Sequence, residues 1–169
     1  MDLTGDGFPT TKRGNSIIIV IKCALTRYVE IEAIPNKSEL TIAKILVEKI
    51  YCRHGAPSML ITDNGTEFVN ELIKQIAILL NIGRISTTPY NPRANGMVEQ
   101  HNATLKMMLS AYVNKYQDDW DLYIPHVAYA YNTTISTSTG STPFCMMYGR
   151  EARQLCNNWI DTYLSLIHI

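Results

Sequence analysis

The sequence predicts an α/β fold, a mixed sheet flanked by helices, and three observations predict it. Two β-branched runs stand close together near the amino end, SIIIVIKC (16–23) and YVEIEAI (28–34). Further on, segments with apolar residues at helical spacing alternate with short apolar strands. The resulting order of strands, helix, strand, helix, strand and long helices suits a sheet with helices packed on it.

Each element follows from its own residues. Ser16–Cys23 is continuously apolar and Tyr28–Ile34 alternates, as expected of a central and a flanking strand, and together they make an antiparallel pair. Ser38 caps a helix over Glu39–Arg53, with apolar residues at Leu40, Ala43, Ile45, Leu46, Val47 and Ile50, and the turn His54-Gly55-Ala56-Pro57 stops it. Ser58–Thr62 is a short strand ending at Asp63, Thr66–Leu80 a second helix, and Arg84–Thr87 another short strand. Pro89–Asn95 is a loop with two prolines, and the Asn95-Gly96 step after them can flex. A long helix is expected from about Gly96 to Lys115. Asp119–Tyr131 is aromatic and apolar at helical spacing, and a Ser/Thr/Gly loop, Ser136–Ser141, leads into the helix start Thr142-Pro143-Phe144. There is no internal repeat.

Length and composition bound the reading. A chain of 169 residues with 46% apolar content makes one domain with a buried core. The strongest apolar run, Ile17–Ile21, is far short of a membrane span, so no membrane partner is expected. The start MDLTGDG has no basic region followed by an apolar one, and an intracellular location is expected. Cys23, Cys52, Cys145 and Cys156 form no C-x-x-C pair, which argues against a zinc knuckle or a disulfide framework; they are expected to be reduced and mostly buried. Net charge is zero, so the whole chain has little non-specific attraction to DNA. The charge is uneven, however. From Arg84 to Lys115 four bases face one acid, while Gln117–Ile169 holds five acids and two bases, so a nucleic-acid face is expected on the first stretch.

The chemistry rests on three acids. Asp63 lies in ITDNGTEF, at the carboxyl end of a strand, where open α/β sheets place their ligands. Glu99 lies in YNPRANGMVEQHN, with thirty-five residues between it and Asp63, and Asp2 stands near the amino end. Three carboxylates drawn together repel one another unless divalent cations sit between them, so the set points to a two-metal phosphoryl-transfer site holding two Mg²⁺ or Mn²⁺ ions. Three and seven residues after Glu99, Asn102 and Lys106 share its helical face and could follow a DNA backbone. Bland readings stand beside these. Asp63-Asn64-Gly65 is also a common turn signal, Glu99 alone would be a solvated surface acid, and Asp2 could be a frayed terminal residue. His54 reads as helix-end chemistry, and His101 and His126 lack a zinc pattern, so no zinc is expected here. Trp120, Tyr123, Tyr129 and Tyr131 read as packing rather than base-stacking.

Taken jointly and in order, MDLTG, TDNGTEF, TTPYNPRANGMVE, AYN and STGSTPFCMMYGRE resemble the signature blocks of retroviral-type integrase catalytic cores, most closely those of gypsy-like long-terminal-repeat retrotransposons. The resemblance covers residues 1–153 and implies a ribonuclease H-like fold with a five-stranded mixed sheet. It implies 3′-end processing and strand transfer on DNA, both element ends and target, with Asp2, Asp63 and Glu99 as catalytic, metal-binding residues. It further implies DNA contacts from Asn95, Gly96, Asn102 and Lys106, a homo-oligomer in the full-length protein, and a nuclear site of action on chromosomal DNA.

Several positions depart from the pattern. Lys22-Cys23 stands where an Asp followed by a basic or polar residue is usual, and Asp6 replaces the Pro of a Gly-Pro turn. Arg93 stands where Gln is usual, while Gln100, His101 and Ala103 replace residues that include two arginines. Arg93 therefore compensates only in part on the DNA-facing side. The chain is expected to be a fragment of a polyprotein, lacking the amino-terminal zinc-binding and carboxy-terminal domains and beginning inside the strand of Asp2. Residues 154–169 form a tail whose last residues, LSLIHI, fit no family block and resemble a translated sequencing-adaptor remnant. Two other functions stay open: a decayed or co-opted integrase core that only binds nucleic acid or protein, and a hydrolytic nuclease of the same fold.

Overall fold

A computed structural model of the chain describes residues 1–4, 8–62, 70–86 and 104–153. Its contacts divide into two units, residues 1–22 with 29–128, and residues 23–28 with 129–169.

The first unit is built on β1 (Asp2–Thr4), β2 (Ile17–Lys22) and β3 (Val29–Ile34), which form an antiparallel sheet in the order β1-β2-β3. The register sets Asp2 opposite Val20 and Ile19 opposite Glu32. The predicted β2–β3 pair is therefore present. Ile18, Ile19 and Val20 are all buried, so β2 is covered on both faces, as its unbroken apolar run requires. A second sheet pairs β4 (Met59–Thr62) with β5 (Gly83–Ser86) in parallel. Among the described residues the strands thus hydrogen-bond as three plus two. A hydrogen bond crosses between the sheets, from the Met1 amino group to the Ile61 carbonyl at 2.8 Å.

The helix predicted at 39–53 is present with an internal change of pitch. Ser38 caps it, its hydroxyl accepting from Thr41 N–H, and α1 (Glu39–Ile45) runs through a π-helical segment (Leu46–Tyr51) into α2 (Cys52–His54). Gly55, at φ 82°, ends it in a backbone conformation that favours glycine. Ile42, Ala43, Ile45 and Leu46 form the buried ridge, whereas Leu40, part of the same apolar rhythm, is exposed in the first turn. This ridge packs with Ile19, Ile34, Leu60 and Ile73, so both sheets share one core.

Helix α3 (Glu71–Leu79) begins later than the sequence suggests. Asn70 is extended and its side-chain oxygen accepts from Ile73 N–H at 2.8 Å, which fixes the start at Glu71. At the other end Ile82 N–H reaches back to the Ala77 carbonyl across Asn81 at φ 53°, a left-handed stop that aims the chain into β5.

Helix α4, described over 104–110, ends before the expected Lys115. Asn114 explains the early stop. Its side chain accepts from Tyr116 N–H and donates to Asp118, while its own N–H donates to Asp119, so local side-chain bonds replace helical ones. Helix α5 (Trp120–Thr133) carries Pro125 in its interior.

In the second unit, Thr142 caps α6 (Pro143–Tyr148) with Pro143 in the first turn, as predicted, and Gly149 ends it at φ 71°. The Thr142 hydroxyl also donates to Glu151 at 2.8 Å. The expectation of mostly buried thiols is corrected here. Cys23 and Cys52 are exposed and Cys145 is half-buried, all three free, because Cys23 opens the turn after β2 and Cys52 lies off the buried ridge of its helix. Cys156 lies outside the described residues, as does the tail 154–169.

Candidate functional site

Asp2 is the acid of the proposed triad that the structure describes. It is the first residue of β1, half-buried, and lies between Met1 and Leu3, both of which pack against the shared core. Strand alternation therefore turns Asp2 to the opposite sheet face. The Met1–Ile61 bond holds the start of β1 against β4, and Asp63 is the residue after the last of β4. Asp2 is thus brought to the strand that leads into Asp63. Asp63 itself, Glu99, Arg93, Asn95, Gly96 and Asn102 lie outside the described residues. Among the described residues, which include one of the three acids, no group of three His, Cys, Asp or Glu is placed to hold a metal ion.

Lys106 lies exposed on α4, while Leu105 and Leu109 on the same helix are fully buried. Its ammonium sits 5.7 Å from the centroid of the Phe8 ring. Phe8 in turn lies 5.5 Å from Trp120, and the Trp120 indole N–H donates to the Pro9 carbonyl at 2.8 Å. Trp120 is 0% exposed, so it is packing, as the sequence suggested.

Around this pair the segment after Phe8 is clamped to the start of α5. Asp121 accepts from the Thr11 hydroxyl at 3.1 Å and from the Asn15 side-chain amide at 2.8 Å. Lys12 N–H donates to the Asp118 carbonyl, and its ammonium lies 3.5 Å from the Asp118 carboxylate. The Asn114 amide beside Asp118, with a lesser effect of Lys12, holds that carboxyl below its usual value. Sequence reasoning passed over Phe8, Thr11, Asn15 and Asp121, because their partners lie over a hundred residues away and no local pattern marks them.

Of the three histidines read as non-ligands, His54 and His126 are described and His101 lies outside the described residues. His54 ends α2 and sits 2.8 Å from Glu30, a carboxylate that Arg53 also approaches at 3.2 Å. His126 is exposed, with its ring 6.4 Å from Tyr123, which stacks on Tyr112 at 5.8 Å.

Comparison with known proteins decides the family. The integrase core domain family matches residues 1–92, more than half of the chain. The chain belongs to the integrase core domain family. The matched stretch contains Asp2 and Asp63 and ends before Glu99. The chain is 32% identical over 144 residues to a retrovirus-related Pol polyprotein from transposon 412 of Drosophila melanogaster, a match covering 85% of this chain and 12% of that protein. It is 28% identical over 151 residues to a gypsy retrotransposon integrase-like protein of Bos taurus, covering 89% of this chain and 30% of that one. The chain therefore spans a minor part of the relatives it matches. Among solved structures, the catalytic core domain of BIV integrase superimposes with a TM-score of 0.67 at 26% identity, covering 88% of this chain and 91% of that one. The fold is that of the integrase catalytic cores, ribonuclease H-like, as the sequence blocks implied. No helix among the described residues is long and apolar enough to cross a membrane.

Proposed function

We propose that this integrase core is the catalytic part of a retrotransposon polyprotein, a polynucleotidyl transferase that processes DNA 3′ ends and joins them to target DNA. The observation that carries this reading is the family match together with the position of Asp2 on a strand held against the one that leads into Asp63. Asp2, Asp63 and Glu99 are the metal ligands. Three carboxylates are a donor set of hard oxygens, and such a set fits Mg²⁺ or Mn²⁺. When bound, the two ions would supply a more acidic attacking oxygen and a charge-neutralised leaving oxygen.

The chain's own residues do the rest. Asp2 binds from β1, which is held against β4, and Asp63 and Glu99 complete the set of three carboxylates. In strand transfer a DNA 3′-hydroxyl oxygen forms a bond to a target phosphorus as the bond to the adjoining 3′ oxygen breaks. One phosphodiester replaces another, and the departing oxygen takes up the proton. In end processing water takes the place of the hydroxyl. No side-chain nucleophile takes part. Arg93, Asn95, Gly96, Asn102 and Lys106 are the DNA contacts, the last of them from α4. A homo-oligomer acting in the nucleus on chromosomal DNA completes the proposal.

A divalent-metal titration tests it, following Mn²⁺ or Mg²⁺ binding and thermal stability in the wild-type chain and in Asp63→Asn and Glu99→Gln. Both substitutions remove a charge at nearly constant shape. The expected outcome is metal-dependent stabilisation of the wild type alone, and metal-dependent joining of DNA strands that disappears in both variants. A folded wild type without metal binding would favour the non-catalytic binding module. Nicked DNA without joined strands would favour the hydrolytic nuclease.

A further inference from the structure

We infer that Phe8 is a positioning residue for Lys106, holding its ammonium ready to meet a DNA phosphate; this rests on the reading of α4 as a DNA-facing helix. The starting point is the 5.7 Å separation between the Lys106 ammonium and the Phe8 ring centroid, within the range of a cation–π contact. Lys106 is exposed, and among the described residues no carboxylate pairs with it. A lysine stem is long and freely rotating, so an unrestrained ammonium spreads over a wide volume and must be ordered when DNA binds.

An aromatic ring and a carboxylate restrain an ammonium differently. A carboxylate would hold it and also cancel its charge, leaving little to attract phosphate. The ring face holds it through a quadrupole and leaves the full positive charge available. Phe8 is suited to this because it is itself held. Its ring lies against Trp120 at 5.5 Å, and the buried indole is tied by its N–H to the Pro9 carbonyl. Further along, Thr11 and Asn15 bond to Asp121, and the Lys12 N–H donates to the Asp118 carbonyl, so the backbone carrying Phe8 is fixed to the start of α5.

Phe8 also follows Asp2 by six positions in the chain. A single segment thus carries the acid of β1 and the ring beneath Lys106.

The test combines a spectroscopic and a binding readout on the whole chain. In the wild type, NMR should show the ε-methylene protons of Lys106 shifted upfield of the other lysines by the Phe8 ring current, a measurement that needs no variant. In Phe8→Leu, which keeps an apolar side chain against Trp120, the shift should vanish, and Phe8→Tyr should retain it. Affinity for a short duplex of arbitrary sequence should fall about two- to fivefold at low salt in Phe8→Leu and recover in Phe8→Tyr. Lys106→Gln should flatten the dependence of log affinity on log salt by about one phosphate contact, and adding Phe8→Leu to it should cost nothing more. The inference is overturned if Lys106 shows no ring-current shift, or if Phe8→Leu weakens binding equally with and without Lys106, which is what mere packing would do. If Lys106→Gln binds DNA like the wild type, the DNA reading of α4 fails and takes the inference with it. That failure is recognisable, because the ring-current shift would still be present.

Discussion

The β2–β3 pair and the clamp between residues 8–15 and the start of α5 are held by opposite means. In β2, Ile18, Ile19 and Val20 are buried to 3% exposure or less, and Ile19 joins the apolar core with Ile34, Ile42 and Leu60. The clamp rests on placed polar atoms: the Trp120 indole on the Pro9 carbonyl, Thr11 and Asn15 on Asp121, and Lys12 on Asp118. Apolar burial is non-directional and grows with area, whereas each bond of the clamp is directional and nets little once water is counted. The difference teaches where the molecule's stability and its precision lie. The sheet provides stability, and the clamp provides position for the residues beside the candidate site.

The widest separation between the two regions should come from Ile19→Ala. Losing most of a fully buried side chain is expected to cost about 2–5 kcal/mol, read as a lower urea midpoint with an unchanged slope. A cost below about 1 kcal/mol would mean that the sheet is not the dominant element, and the contrast would break. Next in size is Trp120→Phe, which keeps an aromatic ring in the buried site but removes the donor to Pro9. A loss of about 1 kcal/mol is expected from the hydrogen bond and the carbonyl it leaves behind, with some addition from the smaller ring. The same variant should also loosen Phe8, so the Lys106 ring-current shift should shrink. If it does not, the clamp is not what fixes Phe8.

A smaller effect is expected from Asn70→Ala, about 1 kcal/mol, because the cap bond to Ile73 N–H fixes only the start of α3. Its value lies in location. Asn70 stands on the stretch between β4 and α3 that contains Asp63, so a change in metal affinity with little change in stability would place that stretch with the clamp, as a positioning element. Unchanged metal affinity would leave Asn70 a helix cap only.

The same contrast explains what could be read in the sequence. The β2–β3 pair was legible because its signal is local: one continuous and one alternating run, each complete within a few residues. The Ser38 and Thr142 caps were legible for the same reason. The π-helical segment at Leu46–Tyr51 was not, since apolar spacing there fits an ordinary helix and the widened pitch depends on packing. Helix α4 was read too long because the bonds that end it come from Asn114, a residue whose capture of Asp118 and Asp119 periodicity does not report. Leu40 belongs to the apolar rhythm of its helix, yet it lies exposed in the first turn, since apolar spacing alone does not report which turn is covered. For the candidate site, ordered sequence blocks named the acids, and the structure adds how the strand of Asp2 is tied to β4. The clamp was invisible. Trp120 could be read as packing, but its partner Pro9 lies 111 positions away, and nothing near either residue points to the other.

The smallest expected effect is a pH dependence confined to the clamp, and its sign follows from Asp118. Its carboxyl is held below the usual value, first by the Asn114 amide at 2.8 Å and to a lesser degree by Lys12 at 3.5 Å. A depressed folded-state pKa means that the stabilisation is fully present above the ordinary carboxylate value. It is lost as pH falls through the depressed one. The stability difference between the wild type and Asp118→Asn should therefore be flat at neutral pH and shrink in acid, while the Ile19→Ala deficit should stay constant over the same interval. Salt separates the two causes. The Lys12 pair is exposed and should be screened at about 1 M salt, whereas the Asn114 bond is short-ranged and should persist. Carboxyl carbon NMR of Asp118 measures both at once. A titration midpoint that stays low in high salt and rises towards the ordinary value in Asn114→Ala would assign the depression to the hydrogen bond. A midpoint that rises with salt alone would assign it to the ion pair, and the clamp would then be held by charge more than by placed polar atoms.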